Sequence, residues 1–165
     1  DKYNMPYLRD YIMDYTCLAD VAETSASWGN LEHLYDSTVE KMNKLFTEQN
    51  TKGYLGCHLS HSYQDGACLY FTYAVKQTPG KEMEQYYQYK KFITDCFVSS
   101  GGTLSHHHAV GYEHLPWLKH ELGPFNSNLL SKVKTQLDPA NIFNPGSLDP
   151  ERVHPFIKAY DSIAD

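Results

Sequence analysis

The chain has 165 residues, 41% of them hydrophobic and 21% charged, which is the make-up of a globular domain with its own core and excludes a disordered or fibrous protein. Lys and Arg number 14 against 20 for Asp and Glu, a formal charge of −6 with no basic cluster, which argues against a nucleic-acid partner. No apolar run approaches the ~20 residues of a membrane span, and no basic stretch followed by an apolar segment marks a signal peptide.

Residues 1–15 read as a helical lead-in: after Pro6, Leu8, Tyr11, Ile12 and Tyr15 recur at helical spacing. Cys17 to Ser25 reads as a strand. Asn30 is the expected cap of a helix carrying Leu31, Leu34, Tyr35, Thr38, Met42, Leu45 and Phe46 on one stripe, with Gly53 as its stop. Tyr54 to Tyr63 alternates, with Leu55, Cys57, Leu59 and His61 on one face and Gly56, His58, Ser60 and Ser62 on the other. Gln64-Asp65-Gly66 then turns the chain into a second strand, Ala67 to Val75, forming a hairpin. Pro79-Gly80 is a loop, a helix runs from about Glu82 to Gly101-Gly102, and Thr103 to Val110 reads as a fourth strand.

This order predicts an α+β fold: a ferredoxin-like βαββαβ core over residues 16–111, an antiparallel sheet with helices on one face. Residues 112–165 read as a helical tail punctuated by Pro116, Pro124, Pro139, Pro145, Pro150 and Pro155. Cys17, Cys57, Cys68 and Cys96 form no C-x-x-C pair and lie in apolar stretches, so reduced, structural thiols are expected.

The stretch Ser99 to Gly111 (SSGGTLSHHHAVG) holds the densest chemistry. On an extended segment His106 and His108 would share one face and His107 the other. Imidazoles can move protons, bind anions or ligate a metal. They can also stand as ordinary polar residues at a sheet end. Three in a row between Gly101-Gly102 and Gly111 favour a site, because glycine lets a ligand approach the backbone. A metal centre would draw on His106 and His108 with His58 or His61, but nothing in the spacing fixes those strands at ligand distance. No metal is therefore assigned. By spacing, Tyr70 is half-buried strand packing with its hydroxyl at the rim, and proton transfer through it needs a neighbouring cation or flavin. Arg9, one of two arginines beside Arg152, is either a solvated charge or a fork for phosphate or carboxylate.

Five blocks carry a resemblance: Tyr7 to Asp10 (YLRD), Glu23 to Trp28 (ETSASW), Tyr63 to Tyr70 (YQDGACLY), Gly101 to Gly111 (GGTLSHHHAVG) and Leu137 to Phe143 (LDPANIF). In this order they resemble the C-terminal part of the alkyldihydroxyacetonephosphate synthases, within the vanillyl-alcohol-oxidase-like group of FAD-dependent proteins. Related FAD-linked 2-hydroxy-acid dehydrogenases share the downstream Gly and the DP…NPG ending but usually carry a single His.

The resemblance implies exchange of the acyl group of acyl-dihydroxyacetone phosphate for a fatty alcohol in ether-lipid synthesis. FAD would take part through a covalent adduct with substrate, without net redox change. It implies that Arg9 binds the substrate phosphate, that Tyr70 moves the proton at the reacting carbon, and that His106, His107 and His108 line the catalytic site. His107, His108 and Asn144 are the implied cofactor contacts. Ala109 departs from the family's Gly after the third His. FAD is expected to be bound mainly by an N-terminal FAD-binding domain outside this sequence, so the chain reads as part of a longer flavoprotein that alone neither binds flavin nor turns over. The other expected partners are the phosphorylated lipid and the fatty alcohol, with a homodimer known in the family. Expected locations are the cytoplasm or the membrane periphery in a bacterium and the peroxisome in a eukaryote, although Ser162-Ile163-Ala164-Asp165 is no Ser-Lys-Leu signal. The alternatives are the C-terminal domain of an FAD-linked 2-hydroxy-acid oxidase or dehydrogenase, and a non-catalytic His-rich module binding an anion or metal.

Overall fold

Three antiparallel strands organise the computed structural model, which describes residues 8–148; Arg152, Pro150, Pro155 and the chain end lie outside the described residues. The strands are β1 (Cys17–Ser27), β2 (Gly53–Ser62) and β3 (Gly66–Lys76), in the order β1-β3-β2. The helix α2 (Trp28–Glu48) carries the chain from β1 to β2, leaving the gap that β3 fills. A short α1 (Leu8–Met13) precedes the sheet, and α3 (Glu82–Ser99) and α4 (Leu115–Leu137) follow it.

Alternation along the strands decides which face is packed. Leu18 and Ala22 of β1 point the same way as Leu69, Phe71, Tyr73 and Val75 of β3, and all join one core. Against them α2 presents Leu31, Leu34, Met42, Leu45 and Phe46, and α3 presents Tyr89, Ile93 and Phe97. Both helices therefore cover one face of the sheet. Glu23, Ser25, Cys68, Tyr70 and His58 alternate onto the opposite face, which α2 and α3 leave uncovered.

The α+β class, the split βαβ arrangement, the hairpin and the thiols match expectation; Cys17, Cys57, Cys68 and Cys96 are all free. Four details differ. Asn30 lies inside α2 instead of capping it, since Ser27 is the N-cap; its amide instead donates to the carbonyls of Ser100 (2.8 Å) and Gly101 (3.3 Å). The left-handed turn after α2 is made by Asn50 (φ 48°), and Gly53 opens β2 against the ring of Phe46, where a Cβ would sit only 2.4 Å from the nearest ring carbon. A bulge between Leu59 and His61 puts His61, not Ser60, opposite Cys68, so Leu59 and His61 face opposite sides.

The fourth difference is the largest. Thr103 to Val110 forms no strand, and the described sheet has three strands. Thr103 is strapped to the edge of β1: its amide donates to the Ser25 carbonyl (2.9 Å), and the Thr24 hydroxyl donates to the Thr103 carbonyl (2.7 Å). Four of the amides that follow are taken by carboxylates, that of Leu104 by Glu121 and those of His106, His107 and His108 by Glu23, which withdraws three successive amides from any ladder. Gly101, Ala109 and Gly111 all have positive φ, which bends the segment away from an extended path.

Beyond the loop, Leu104, Leu115 and Leu118 form a second small core with Val98, Val110, Tyr112 and Trp117 around it. The long α4 breaks at Gly123 (φ 73°, ψ 164°), just before Pro124, which cannot continue the preceding turn.

Candidate active site

The site grows from a single buried carboxylate. Glu23, 2% exposed, sits across from Tyr70 in the β1–β3 register. Its Oε1 accepts the Ser105 hydroxyl (2.9 Å) and the amides of His106 (2.8 Å), His107 (2.5 Å) and His108 (2.5 Å). Three successive N–H groups converging on one oxygen make an anion nest, and the anion is the protein's own side chain. Burial pushes the Glu23 carboxyl up, but the amides of His108 and His106, the Ser105 hydroxyl and the His107 amide outweigh it and hold its pKa at about 2.

With the backbone turned inward, the three imidazoles fan outward. His107 stacks on Tyr70 (centroids 5.8 Å, interplanar 14°), and His108 meets the same ring edge-on at 5.4 Å. The His106 Nε2 lies 2.9 Å from the Tyr63 hydroxyl. Its Nδ1 lies 3.1 Å from that of His107, which in turn is in contact with the Glu23 Oε2. From β2, His58 packs on Tyr70 at 5.2 Å and His61 on His106 and His107 at 5.1 and 5.2 Å. Burial, then the negative fields of Glu23, Asp20 and Cys68, raise the Tyr70 phenol, so it keeps its proton at neutral pH.

Four of the expected residues, Tyr70, His106, His107 and His108, thus come together on the open face of the sheet. The two-face pattern predicted for the histidines does not hold, because the segment is not extended; His106 and His107 are the touching pair. Arg9 is exposed on α1, ahead of the end of β1 that lies away from Glu23. Asn144 (φ 44°) belongs to a turn lining a pocket of about 330 Å³ with Leu130, Val133, Lys134 and Phe143, apart from the histidines. Sequence reasoning gave Glu23, Tyr63 and Cys68 no role in the site, although they lie in the blocks Glu23 to Trp28 and Tyr63 to Tyr70; for Glu23 the local signal was an acidic residue within the strand segment Cys17 to Ser25.

Ala109 has a φ of 67°, a left-handed conformation that suits glycine.

The profile of the family described as FAD linked oxidases, C-terminal domain, matches residues 1–148. The alkyldihydroxyacetonephosphate synthase of Dictyostelium discoideum is 41% identical over 149 residues, covering 90% of this chain and 24% of that protein. That of Trypanosoma brucei brucei is 37% identical over 149 residues, again 90% of this chain and 24% of the relative. A solved alkyldihydroxyacetonephosphate synthase structure superposes with a TM-score of 0.63 at 34% identity, covering 88% of this chain and 23% of that one. The chain thus spans about a quarter of the length of these relatives.

Proposed function

We infer, for a chain that belongs to the C-terminal domain family of the FAD-linked oxidases, that it forms the substrate-side wall of a flavoenzyme active site. The parent enzyme would exchange the acyl group of acyl-dihydroxyacetone phosphate for a fatty alkoxy group. One observation carries this reading: a buried carboxylate pins the backbone of His106–His108 so that their imidazoles gather around Tyr70 on the uncovered sheet face. The names of the two relatives and of the solved structure, all alkyldihydroxyacetonephosphate synthases, support this reading.

The exposed rings of His107 and His108 beside Tyr70 suit the hydrogen-bonding edge of a flavin, whereas Asn144, in its separate turn, has no such setting. When bound, by the FAD-binding half of the parent protein, FAD supplies the reactive centre of an exchange without net redox change. The chain's own residues bind and move protons. Tyr70, protonated at neutral pH, donates a proton, and it accepts one only after passing its own to a neighbouring imidazole. Rigid placement of His106–His108 costs nothing at the moment of reaction, because the Glu23 nest has already fixed it. Arg9, exposed on α1 away from the Glu23 nest, takes the role of fork for the substrate phosphate from the resemblance of the YLRD block.

The test uses the full-length parent enzyme with labelled fatty alcohol. Tyr70→Phe should lower kcat by roughly 100-fold or more with little change in KM. Wild-type turnover would remove Tyr70 from the mechanism. Reduction of an electron acceptor by a 2-hydroxy acid, without alcohol incorporation, would move the parent to the dehydrogenase class.

A further inference from the structure

On the Cys68 side of Glu23 lies a second arrangement that shares His106 and His107 with the substrate wall and adds His61 and Cys68, which the transfer reaction does not use. We propose that His61, Cys68, His106 and His107 form a binding site for a zinc-class transition-metal dication. One ligand atom from each of the four lies within 4.8 Å of the other three. A tetrahedral zinc centre with one sulfur and three nitrogens needs donor separations of about 3.3–3.6 Å, so binding draws these side chains inward from their present spread. A thiolate with three imidazoles selects zinc and its neighbours over magnesium or calcium, which prefer oxygen.

Three features of the fold prepare this site. The bulge in β2 substitutes His61 for Ser60 opposite Cys68; cross-strand partners point to the same side, so the imidazole stands over the thiol. The loop brings His106 and His107 to the same place, with their Nδ1 atoms 3.1 Å apart and both rings against that of His61. Glu23 supplies the compensating charge. Its Oε1 is taken up by four donors, which leaves Oε2 facing the site, 3.7 Å from the Cys68 sulfur and 3.8 Å from the His106 Nδ1 and in contact with the His107 ring nitrogen. A carboxylate in that position offsets the ion's charge. On binding, the Cys68 thiol gives its proton to solvent and a metal–sulfur bond forms.

Sequence reasoning assigned no metal, and the alternative it weighed drew on His106 and His108 with His58 or His61; the loop geometry exchanges His108 for His107 and adds a cysteine. An ion there would hold His106 and His107 while leaving Tyr70 and His108 outside the donor set. The site does not depend on the acyl–alkoxy exchange and is testable without it.

The experiment titrates the reduced 165-residue chain, cleared of metal with a chelator, with Co2+ and then Zn2+. One equivalent of Co2+ should give tetrahedral visible bands and a near-ultraviolet thiolate charge-transfer band, and Zn2+ should displace both. Cys68→Ser should abolish the thiolate band. His61 is exposed, so His61→Ala keeps the fold and gives an independent reading even if the buried Cys68 variant unfolds; it should weaken binding about tenfold or more. Absence of the thiolate band in the wild-type chain, or His61→Ala binding as tightly as wild type, would overturn the site.

Discussion

At Glu23 a single side chain decides the shape of a loop more than eighty residues further along the sequence. Its Oε1 gathers the Ser105 hydroxyl and three consecutive amides, bonds that a strand would have spent on a neighbouring strand. Because the folded carboxyl sits at about 2 against its ordinary 4.5, the unfolded chain binds the proton more readily. The stabilisation is therefore fully present above pH 4.5 and is lost as the pH falls from there through about 2. Glu23→Gln should cost about 1.5–3 kcal/mol at neutral pH, the range for hydrogen bonds to a charged group. It should also flatten the stability profile across that acid window. Urea unfolding of both proteins over a pH series reads this directly; parallel profiles would show that another group sets the acid dependence.

Elements whose signals are local were legible in the sequence, and those closed by distant partners were not. The α2 stripe, the Asp65-Gly66 turn and the α3 segment each follow from residues within a few positions of one another. The His106–His108 cluster with Tyr70 was found because residue type alone marked it. The loop at 103–110 failed as a strand prediction because its amides are claimed by Glu23 and Glu121, which no pattern inside the loop reveals. The bulge at Leu59/His61 was equally invisible, since the alternation reads smoothly through it. Within this loop Ala109 holds a φ of 67°, which costs an L-residue about 1–2 kcal/mol relative to the ordinary helical region. Glycine removes that cost but gives back about 0.4–1 kcal/mol through a more flexible unfolded chain. Ala109→Gly should therefore stabilise the protein by about 0.5–1 kcal/mol, a rise in Tm of about 1–4 °C. A lower Tm for the variant would mean that the alanine methyl contributes packing that outweighs the backbone strain.

Across the whole molecule, the two cores are joined by a buried charge on α3. The Lys90 side chain, 4% exposed, donates to the Val21 carbonyl (2.8 Å) and pairs with Asp20 (3.1 Å) on β1, tying α3 to the sheet beneath it. The same ammonium lies 3.4 Å from Glu113, in the segment that leads into α4 and the second core. Burial raises the Glu113 carboxyl, but Lys90, followed by a hydrogen bond from Tyr86, brings it below its ordinary value. The Trp117 indole reinforces the junction by donating to Asp95 of α3 at 2.7 Å. Removing the cation while keeping its apolar stem, as in Lys90→Met, leaves Asp20 buried without its charge partner, which costs about 3–5 kcal/mol. Asp20→Asn in the same chain should recover part of that loss, since the stranded charge is gone. The coupling has its own signature. With Trp28 replaced by phenylalanine, Trp117 becomes the only indole and reports on the second core alone, while circular dichroism sums α4 with the sheet, α2 and α3. In the parent background the two urea transitions should coincide, and with Lys90→Met they should separate as the second core melts first. Coincident transitions in that variant would show that hydrophobic contact alone, through Val98 and Leu104, binds the second core to the first.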